Sequence, residues 1–236
     1  MDKIEKTAGE KESSSIWYKI RHSRLLSAVG IIGPLSFLAI LLVLDVVQWQ
    51  SLPVLSTISD LVHGEMGWLQ TVSFVLIGLV LFVFVIKLVS ITGKKFSALT
   101  GSSSFGITSI GFLAIAAFPS EIGGLGQTIQ GLIHNSIAGV ISATFILGCI
   151  AFAHHFRKDP HWKSYWVYTA LTVLLCLTFA ISWGAAPESQ LQAVFERLLL
   201  ISGFIWMLVI SIKLIRSHGK QQPVPVPVRV EEDEIN

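Results

Sequence analysis

Long apolar runs are the feature that most constrains this chain. Six windows of mainly apolar residues lie at about 25–47, 68–91, 98–118, 131–153, 164–183 and 194–215, with the charged residues collected between them. Each window is long enough for an α-helix to cross a bilayer, which takes about 20 residues. Only 14% of the residues are charged, against about 25% in soluble domains. We therefore predict an all-α fold, a polytopic integral membrane bundle of six transmembrane helices.

The third window carries the weakest apolar signal. Thr100 and the run Ser102 to Ser104 interrupt it, so that only Phe105 to Phe118 is strongly apolar. Polar side chains in a spanning helix are costly unless they face other helices. We expect neighbouring helices to shield this span.

The distribution of Lys and Arg predicts the orientation. Sixteen of the seventeen fall in the N-terminal tail, around the second and fourth turns, or at the C-terminus, while the loops 48–67, 119–130 and 184–193 contain none. Cytoplasmic loops retain positive charge. The sequence therefore predicts an N-in/C-in membrane protein, with those three loops on the outer face.

Two tails flank the transmembrane domain at 25–215. Residues 1–24 form a basic cytoplasmic tail without a cleavage site, in which Ile16 and Trp17 favour a short helix at the membrane interface. Residues 216–236 combine a Pro-Val alternation with acidic residues, which is typical of a disordered cytoplasmic tail.

Several classes of function are excluded. A formal charge of +2 gives no reason to expect a nucleic-acid partner. Cys149 and Cys176 both lie inside apolar runs, so neither a disulfide framework nor a CxxC zinc site is available. No phosphate-binding loop, dinucleotide-binding or serine-hydrolase motif occurs.

Small residues recur every four positions on the fourth span. Gly131, Asn135, Gly139 and Ala143 would allow a neighbouring backbone to approach closely, and the third span also has a small-residue face. We expect these two helices to sit centrally.

Acidic residues and histidines collect at the predicted outer ends of the spans. We expect them to converge in an acidic pocket that opens outward, with ligand-binding candidates Asp60, His63, Gln70, Glu121, His134, Asn135, Glu196 and Arg197, and with Asp45, Glu65 and Glu188 nearby. Ionisable groups in or near a membrane are often functional.

The segment before the second span supports two interpretations. Thr57 and Asp60 have the spacing of a helix capping box, and Gly64 suits a left-handed helix end, so that Asp60 and His63 would only stabilise a short helix. Alternatively, Asp60 and His63 share a helix face and hold a proton or a cation together. Both interpretations stay open.

His134 lies one turn inside an apolar helix. It is either a buried structural histidine or a group that transfers protons or ligates a metal. His63, His134 and Asp60 would make a two-histidine, one-carboxylate metal site, although no metalloenzyme spacing supports it. The cofactor therefore stays open. Arg197 either clamps an anionic headgroup with Glu196 or pairs with Glu121 or Glu188.

Short motifs across about 25–215 resemble the prokaryotic six-helix membrane family catalogued as domain of unknown function 998. They are Ile58-Ser59-Asp60, Gly64, Gly67-Trp68-Leu69-Gln70, Phe118-Pro119 before Glu121, Gly131 to His134, and Glu196-Arg197. The resemblance implies the fold and a location in the cell envelope, and it supplies no reaction.

Three kinds of function fit these residues. We expect first a protein that binds or transports a cation, a proton-coupled solute or a lipid headgroup; a carrier with so few spans would work as a homodimer in the lipid bilayer. The alternative is a membrane-embedded enzyme that acts on a lipid or isoprenoid, with His134 or His63 as general base and Asp60 or Glu121 orienting it or holding a metal. The third is a structural or accessory subunit. The sequence leaves open whether the chain is an enzyme.

Overall fold

Seven α-helices make up the part of the chain that the structure describes. This computed structural model describes residues 16–50, 56–93, 95–121, 128–186 and 189–217. The first helix, α1, spans 16–22. The six long helices are α2 Arg24–Val47, α3 Trp68–Thr92, α4 Phe96–Ala117, α5 Ile129–Lys158, α6 Trp166–Ala185 and α7 Ser189–Ser217. Short 3-10 helices at Asp60–His63 and Lys163–Tyr165 precede α3 and α6.

The six long helices are each long and apolar enough to cross a bilayer. Large apolar side chains cover the outside of the bundle; Leu42, Ile110 and Ile181 are all more than 60% exposed. A soluble protein rarely exposes apolar surface on this scale, whereas a bilayer solvates it. The chain is a multi-pass membrane protein, and the predicted all-α fold with six spans is confirmed.

The long helices close into a ring. Each one packs against the next along the chain, and α7 packs against α2. Consecutive helices therefore run in opposite directions. The two ends of the bundle differ in charge. We call one end the acidic end, with Asp45, Asp60, Glu65, Glu121 and Glu196, and the other the basic end, with Lys87, Lys95, Arg157, Lys158, Lys163, Lys213 and Arg216.

Aromatic side chains fill the ring on the side of the basic end. We call Phe105, Phe145, Phe152 and Trp206 the aromatic cluster. The Phe105 ring stacks on Phe152 at 5.5 Å and lies 5.2 Å from the Trp206 ring. Trp206 also donates a hydrogen bond of 3.1 Å to Thr169 Oγ1, which satisfies its buried indole nitrogen. The ring has a packed core rather than a continuous pore.

Neighbouring helices shield only some of the polar residues of α4: of those that weaken the third span, Ser102 is buried, whereas Thr100 and Ser103 are exposed. Ser109 Oγ donates to Gly78 O of α3 at 2.7 Å, and the hydroxyls of Thr108 and Thr144 on α5 lie 2.8 Å apart. Ser102, Thr108 and Ser109 are all buried. The hydrogen bonds of Thr108 and Ser109 satisfy these two hydroxyls inside the bundle, as a spanning helix requires. The expected shielding does not extend to Thr100 and Ser103.

The small residues of α5 do not pack as the sequence predicted. Asn135, Gly139 and Ala143 lie on the exposed face of the helix, and a Cβ added at Gly139 would meet nothing within 4 Å. The close contacts use other glycines: a Cβ at Gly148 would lie 2.4 Å from the Phe105 ring, and one at Gly101 would lie 2.6 Å from the Phe152 ring. Large rings against glycines, not the predicted stripe, bring α4 and α5 together. Both helices belong to the ring, so neither is central.

The side chain of Lys87 holds α1 against the basic end. Lys87 Nζ donates to Ile20 O at 2.9 Å, to Arg21 O at 2.7 Å and to Ser23 O at 3.0 Å, where α1 ends. A cation at this position satisfies carbonyls that a helix end leaves open. Trp17 and Tyr18 of α1 are exposed. Most of the two predicted tails, 1–15 and 218–236, lies outside the described residues.

Candidate functional site

The segment between α2 and α3 covers the acidic end of the ring. Its Ile58 and Leu61 side chains are buried in the core. Gln48 Nε2, just after α2, donates to Leu61 O at 3.0 Å and to Glu65 O at 2.7 Å. These contacts fix the segment that carries Asp60 and His63.

The predicted capping box of this segment does not form. The 3-10 helix Asp60–His63 begins after Ser59 without a side-chain cap, and the Thr57 hydroxyl instead lies 3.2 Å from that of Ser59. Gly64 has φ −86°, so it is not left-handed; Met66 has the positive φ of 58°. A Cβ at Gly64 would lie 2.4 Å from the Gln48 side chain. Close approach, rather than a helix end, requires glycine there.

Asp60 and His63 meet at Ser120, which follows α4. The Ser120 hydroxyl lies 3.1 Å from Asp60 Oδ1, where it donates, and 2.9 Å from Ser59 O. His63 Nε2 lies 2.7 Å from Ser120 O and 3.3 Å from its hydroxyl. Because a carbonyl only accepts, the proton of His63 is assigned to Nε2. Both side chains bind the end of α4, so neither acts as a simple helix cap.

His134 is buried and binds the same short segment. Its Nδ1 donates to Phe118 O at 2.7 Å, two residues before Ser120. This bond assigns the proton to Nδ1 and leaves Nε2 as the basic nitrogen of the neutral ring. Asp60 and His63 both interact electrostatically with His134. The structure therefore brings three of the predicted site residues, from two separate segments, to one place.

Glu196, in the first turns of α7, joins this group from the opposite side. Its Oε2 accepts a hydrogen bond of 2.8 Å from Ile58 N, and its carboxylate interacts electrostatically with Asp60. Glu196 also borders the cavity described below. Among the residues that line this cavity, Glu196 is the acidic one.

Both terminal nitrogens of the Arg197 guanidinium donate hydrogen bonds to other parts of the chain. Its Nη2 donates to Asp45 Oδ1 of α2 at 2.8 Å, and its Nη1 donates to Ser56 O at 2.5 Å. The pairing predicted for Arg197 exists, but the partner is Asp45; of the two acids that the sequence favoured, Glu188 lies outside the described residues. This ion pair joins the first long helix to the last.

A cavity of about 100 Å³ lies inside the ring, between the acidic end and the aromatic cluster. Glu196 and Ser59 border it at the acidic end. Below them its wall is largely apolar and comes from five helices, α3 to α7, including Phe74, Ile77, Phe112, Ile141, Leu200, Phe204 and Met207. Phe145 of the aromatic cluster also lines it. The cavity is therefore amphipathic, with a charged mouth and an apolar body.

Gln70 lies in the first turn of α3 and is fully buried. It shares a helix face with Phe74, Ile77 and Leu81, which line the cavity, and sits one turn nearer the acidic end. Neither its amide nitrogen nor its amide oxygen has a hydrogen-bond partner among the described residues. A buried amide without partners is costly and points to a missing polar group.

Two predicted site residues lie apart from this group. Glu121 Oε2 accepts from Thr128 N at 3.3 Å, just before α5, so Glu121 helps to start that helix. Asn135 follows His134 but lies on the exposed face of α5. A step of one residue turns a helical side chain by about 100°. We therefore leave Asn135 out of the site.

The structure supplies no ready metal centre within the described residues. No group of three or more His, Cys, Asp and Glu side chains there comes together in a way that could hold a metal ion. His63 Nε2 and His134 Nδ1 bind backbone carbonyls, so any metal ligation would fall to the other ring nitrogens, His63 Nδ1 and His134 Nε2. The donor set that the sequence suggested, His63, His134 and Asp60, does not form a metal site as it stands.

Sequence reasoning missed the residue that links the site. Ser120 is buried and contacts Ser59, Asp60 and His63. Serine is frequent in this chain and carries no spacing signal of its own. Its position between Pro119 and Glu121, inside a motif already singled out, was the available clue.

The comparison with known families agrees with the short motifs. The family described as "Protein of unknown function (DUF998)" matches residues 31–213, a range that includes every residue of the site. No curated protein and no solved structure matches the chain.

Proposed function

Since the chain belongs to the DUF998 family, whose description names no activity, we propose a function from the site itself: the protein binds an amphipathic ligand in its cavity. The apolar chain of the ligand lies among α3 to α7, and its polar headgroup lies at the acidic end. The observation that carries this proposal is the cavity, which has Glu196 at its mouth and apolar walls below. Ligand sites are typically apolar with few polar groups that fix orientation.

Binding fits the interior better than passage through it. The aromatic cluster closes the cavity toward the basic end, and its rings lie 5.2 to 6.3 Å apart. A solute crossing the bundle would have to displace Trp206, which is fully buried and hydrogen-bonded. Because five helices of a single chain line the cavity, binding does not require a homodimer.

The acidic end faces outward in this proposal. The excess of Lys and Arg at the other end supports both termini in the cytoplasm of a prokaryotic cell. Reporter fusions after Gly64 should read outside, and fusions after Lys158 should read inside. A reversed pair of readings would place the cavity on the cytoplasmic side.

A matched pair of α5 variants tests the cavity. Ala138 lines it, whereas Ala143 lies on the exposed face of the same helix. The probes are a brominated single-chain alkylamine and the matching alkyl phosphate, added to the protein in nanodiscs of zwitterionic lipid. Bromine near Trp183, which also lines the cavity, quenches its fluorescence. We expect a saturable component that Ala138→Leu removes, that Trp183→Phe removes, and that Ala143→Leu preserves.

Two results would contradict binding in the cavity. One is the absence of saturable quenching with both probes in the wild-type protein. The other is an equal response of Ala138→Leu and Ala143→Leu, since only the first change fills the cavity. Thermal melting of both variants checks that they remain folded.

An enzyme acting on the bound lipid is the second candidate, and the orientation of His134 favours it. A backbone acceptor on Nδ1 holds the basic Nε2 in a fixed direction, as a general base requires. A serine nucleophile is not supported, because the proton that His63 Nε2 donates to Ser120 O prevents it from accepting the hydroxyl proton. Mass spectrometry of ligands recovered after incubation distinguishes the two candidates, since only an enzyme changes their mass.

A further inference from the structure

We infer that the headgroup of the ligand is a cationic hydrogen-bond donor, of the ammonium class, rather than a phosphate or carboxylate. The inference rests on the proposed function and concerns the same site. It follows from which groups at the acidic end can still form hydrogen bonds and which already have their partners.

Two carboxyl groups at the acidic end can accept further hydrogen bonds: Glu196 borders the cavity, and Asp60 directly follows Ser59, which also borders it. Within the described residues, Glu196 accepts one hydrogen bond, from Ile58 N, and Asp60 accepts one, from the Ser120 hydroxyl. A carboxylate can accept about four. An ammonium group between the two acids would supply hydrogen-bond donors to both carboxyl groups. A phosphate or carboxylate headgroup would bring acceptors and negative charge to the same place.

The cationic and imidazole N–H donors near the site are already engaged. Arg197 binds Asp45, Ser56 O and Ala193 O, so its guanidinium faces structural partners. His63 Nε2 and His134 Nδ1 donate to backbone carbonyls. Phosphate recognition in proteins relies on Arg, Lys or converging N–H groups. The unpartnered donor among these described groups is the neutral Gln70 Nε2, whereas two carboxyl groups and the Gln70 amide oxygen offer acceptors.

Gln70 is an independent sign of a missing polar partner. Its amide is fully buried, has no hydrogen-bond partner among the described residues, and lies one turn above the wall residue Phe74. The amide oxygen would accept a hydrogen bond from an ammonium group at the mouth. Such a bond would remove part of the cost of burying it.

The size of the cavity limits the apolar part. A volume of about 100 Å³ is below the roughly 300–1,000 Å³ of pockets that enclose drug-sized ligands. We therefore infer a single-chain amine, whose chain follows Phe74, Ile77 and Phe112 inward while the ammonium remains between Glu196 and Asp60.

Binding measurements on the wild-type protein are enough to test the charge of the headgroup. With the nanodisc assay above, we expect the saturable quenching to have at least about tenfold higher affinity for the alkylamine than for an alkyl phosphate or a fatty acid of equal length, the scale of a charge-assisted hydrogen bond. Equal or tighter binding of the phosphate would overturn the inference while the proposed function stands. No saturable binding of any of these probes would refute the proposed function itself.

Two conservative variants locate the headgroup. Glu196→Gln and Asp60→Asn keep an amide oxygen that can accept the present hydrogen bonds, and they remove the charge. We expect each to weaken amine binding about tenfold and to leave binding of the alkyl phosphate unchanged or stronger. The matched control is Glu65→Gln, an exposed acid at the same end, which should bind amine as the wild type does. An effect of Glu65→Gln equal to that of Glu196→Gln would show only a general surface potential and would contradict the site.

Discussion

At the scale of single residues, two histidines hold one short segment. His134 binds Phe118 O and His63 binds Ser120 O, so both rings fix the chain that leaves α4. These hydrogen bonds to the backbone are compatible with the proposed role in ligand binding, because the two nitrogens of one ring can have different partners. The proton on Nδ1 of His134 serves the fold, and Nε2 is the nitrogen that could serve a ligand.

Substitutions of His134 distinguish its contribution to stability from its proposed contribution to ligand binding. His134→Ala leaves the Phe118 carbonyl without its donor and should lower the free energy of unfolding by about 1–3 kcal/mol. His134→Gln retains an amide donor, so it should lose less stability while binding the alkylamine more weakly. Denaturant unfolding and the quenching assay measure the two effects. Wild-type stability of His134→Ala would contradict the role of this hydrogen bond.

Sequence reasoning reached the site residues only in part. Asp60, His63, His134 and Glu196 were predictable because ionisable groups stand out in an apolar chain. Their contacts were not, since they depend on serine hydroxyls and backbone carbonyls far away in sequence. Asn135 shows the limit: its neighbour His134 is buried, and the sequence does not reveal which side of α5 meets the ring.

At the scale of helices, the fit of large aromatic rings against glycines determines how α4 and α5 pack, and the sequence pattern predicted this packing wrongly. The predicted stripe through Gly139 was a reasonable signal for close approach, but the ring uses Gly101 and Gly148 to accept Phe152 and Phe105. A pattern of small residues does not indicate which aromatic ring needs the space. That choice depends on residues in another helix.

Two glycines of α5 provide a direct test of this packing. Gly148→Ala would bring a Cβ to 2.4 Å from Phe105 and should destabilise the bundle by about 1–3 kcal/mol. Gly139→Ala meets nothing within 4 Å and should be neutral or stabilising, because alanine favours helix. Thermal melting of the two variants side by side measures the difference. The reverse order would mean that the predicted stripe is the true interface.

Lys87 makes another contact between helices that the sequence did not predict. The count of charges treats Lys87 as one more cytoplasmic cation, whereas its ammonium holds three carbonyls at the end of α1. Its acceptors lie more than 60 residues earlier, so no local pattern reveals them.

Replacement of Lys87 should release α1. Lys87→Met removes the donor to three carbonyls and should cost about 2–3 kcal/mol, with faster amide hydrogen exchange in residues 16–22. Lys95→Met is the control, because Lys95 is exposed and its contact with Asp159 is 3.8 Å long. Unchanged exchange in α1 of Lys87→Met would refute this anchoring.

At the scale of the whole molecule, hydropathy predicted most of the fold. Six windows became six long helices because a bilayer requires spanning segments to satisfy their own backbone hydrogen bonds. The closure of the ring could not be predicted in this way. It depends on the contact of α7 with α2, to which Arg197 and Asp45 contribute a single ion pair.

Loss of Arg197 should weaken the closure of the ring. Arg197→Met removes the bonds to Asp45 and to Ser56 O, and we expect it to lower the free energy of unfolding by about 1–3 kcal/mol. Asp45→Asn should cost less, about 0–1 kcal/mol, because the Asp45 side chain is 40% exposed and an amide oxygen can still accept. Unfolding of both single variants and of the double variant gives their coupling energy. A coupling energy of zero would show that the pair does not help to close the ring.

The contact between α2 and α7 also has a consequence for biogenesis. Chains are made from the N-terminus onward, so the five earlier spanning helices are synthesised while the wall supplied by α7 is still absent. Glu196, Arg197 and Trp206 all belong to that last helix. Until it is inserted, Asp45 lacks its partner and the interior is open to lipid on one side. The proposed binding site is therefore complete only after α7 is inserted, and a nascent chain stalled before α7 should not yet bind the alkylamine.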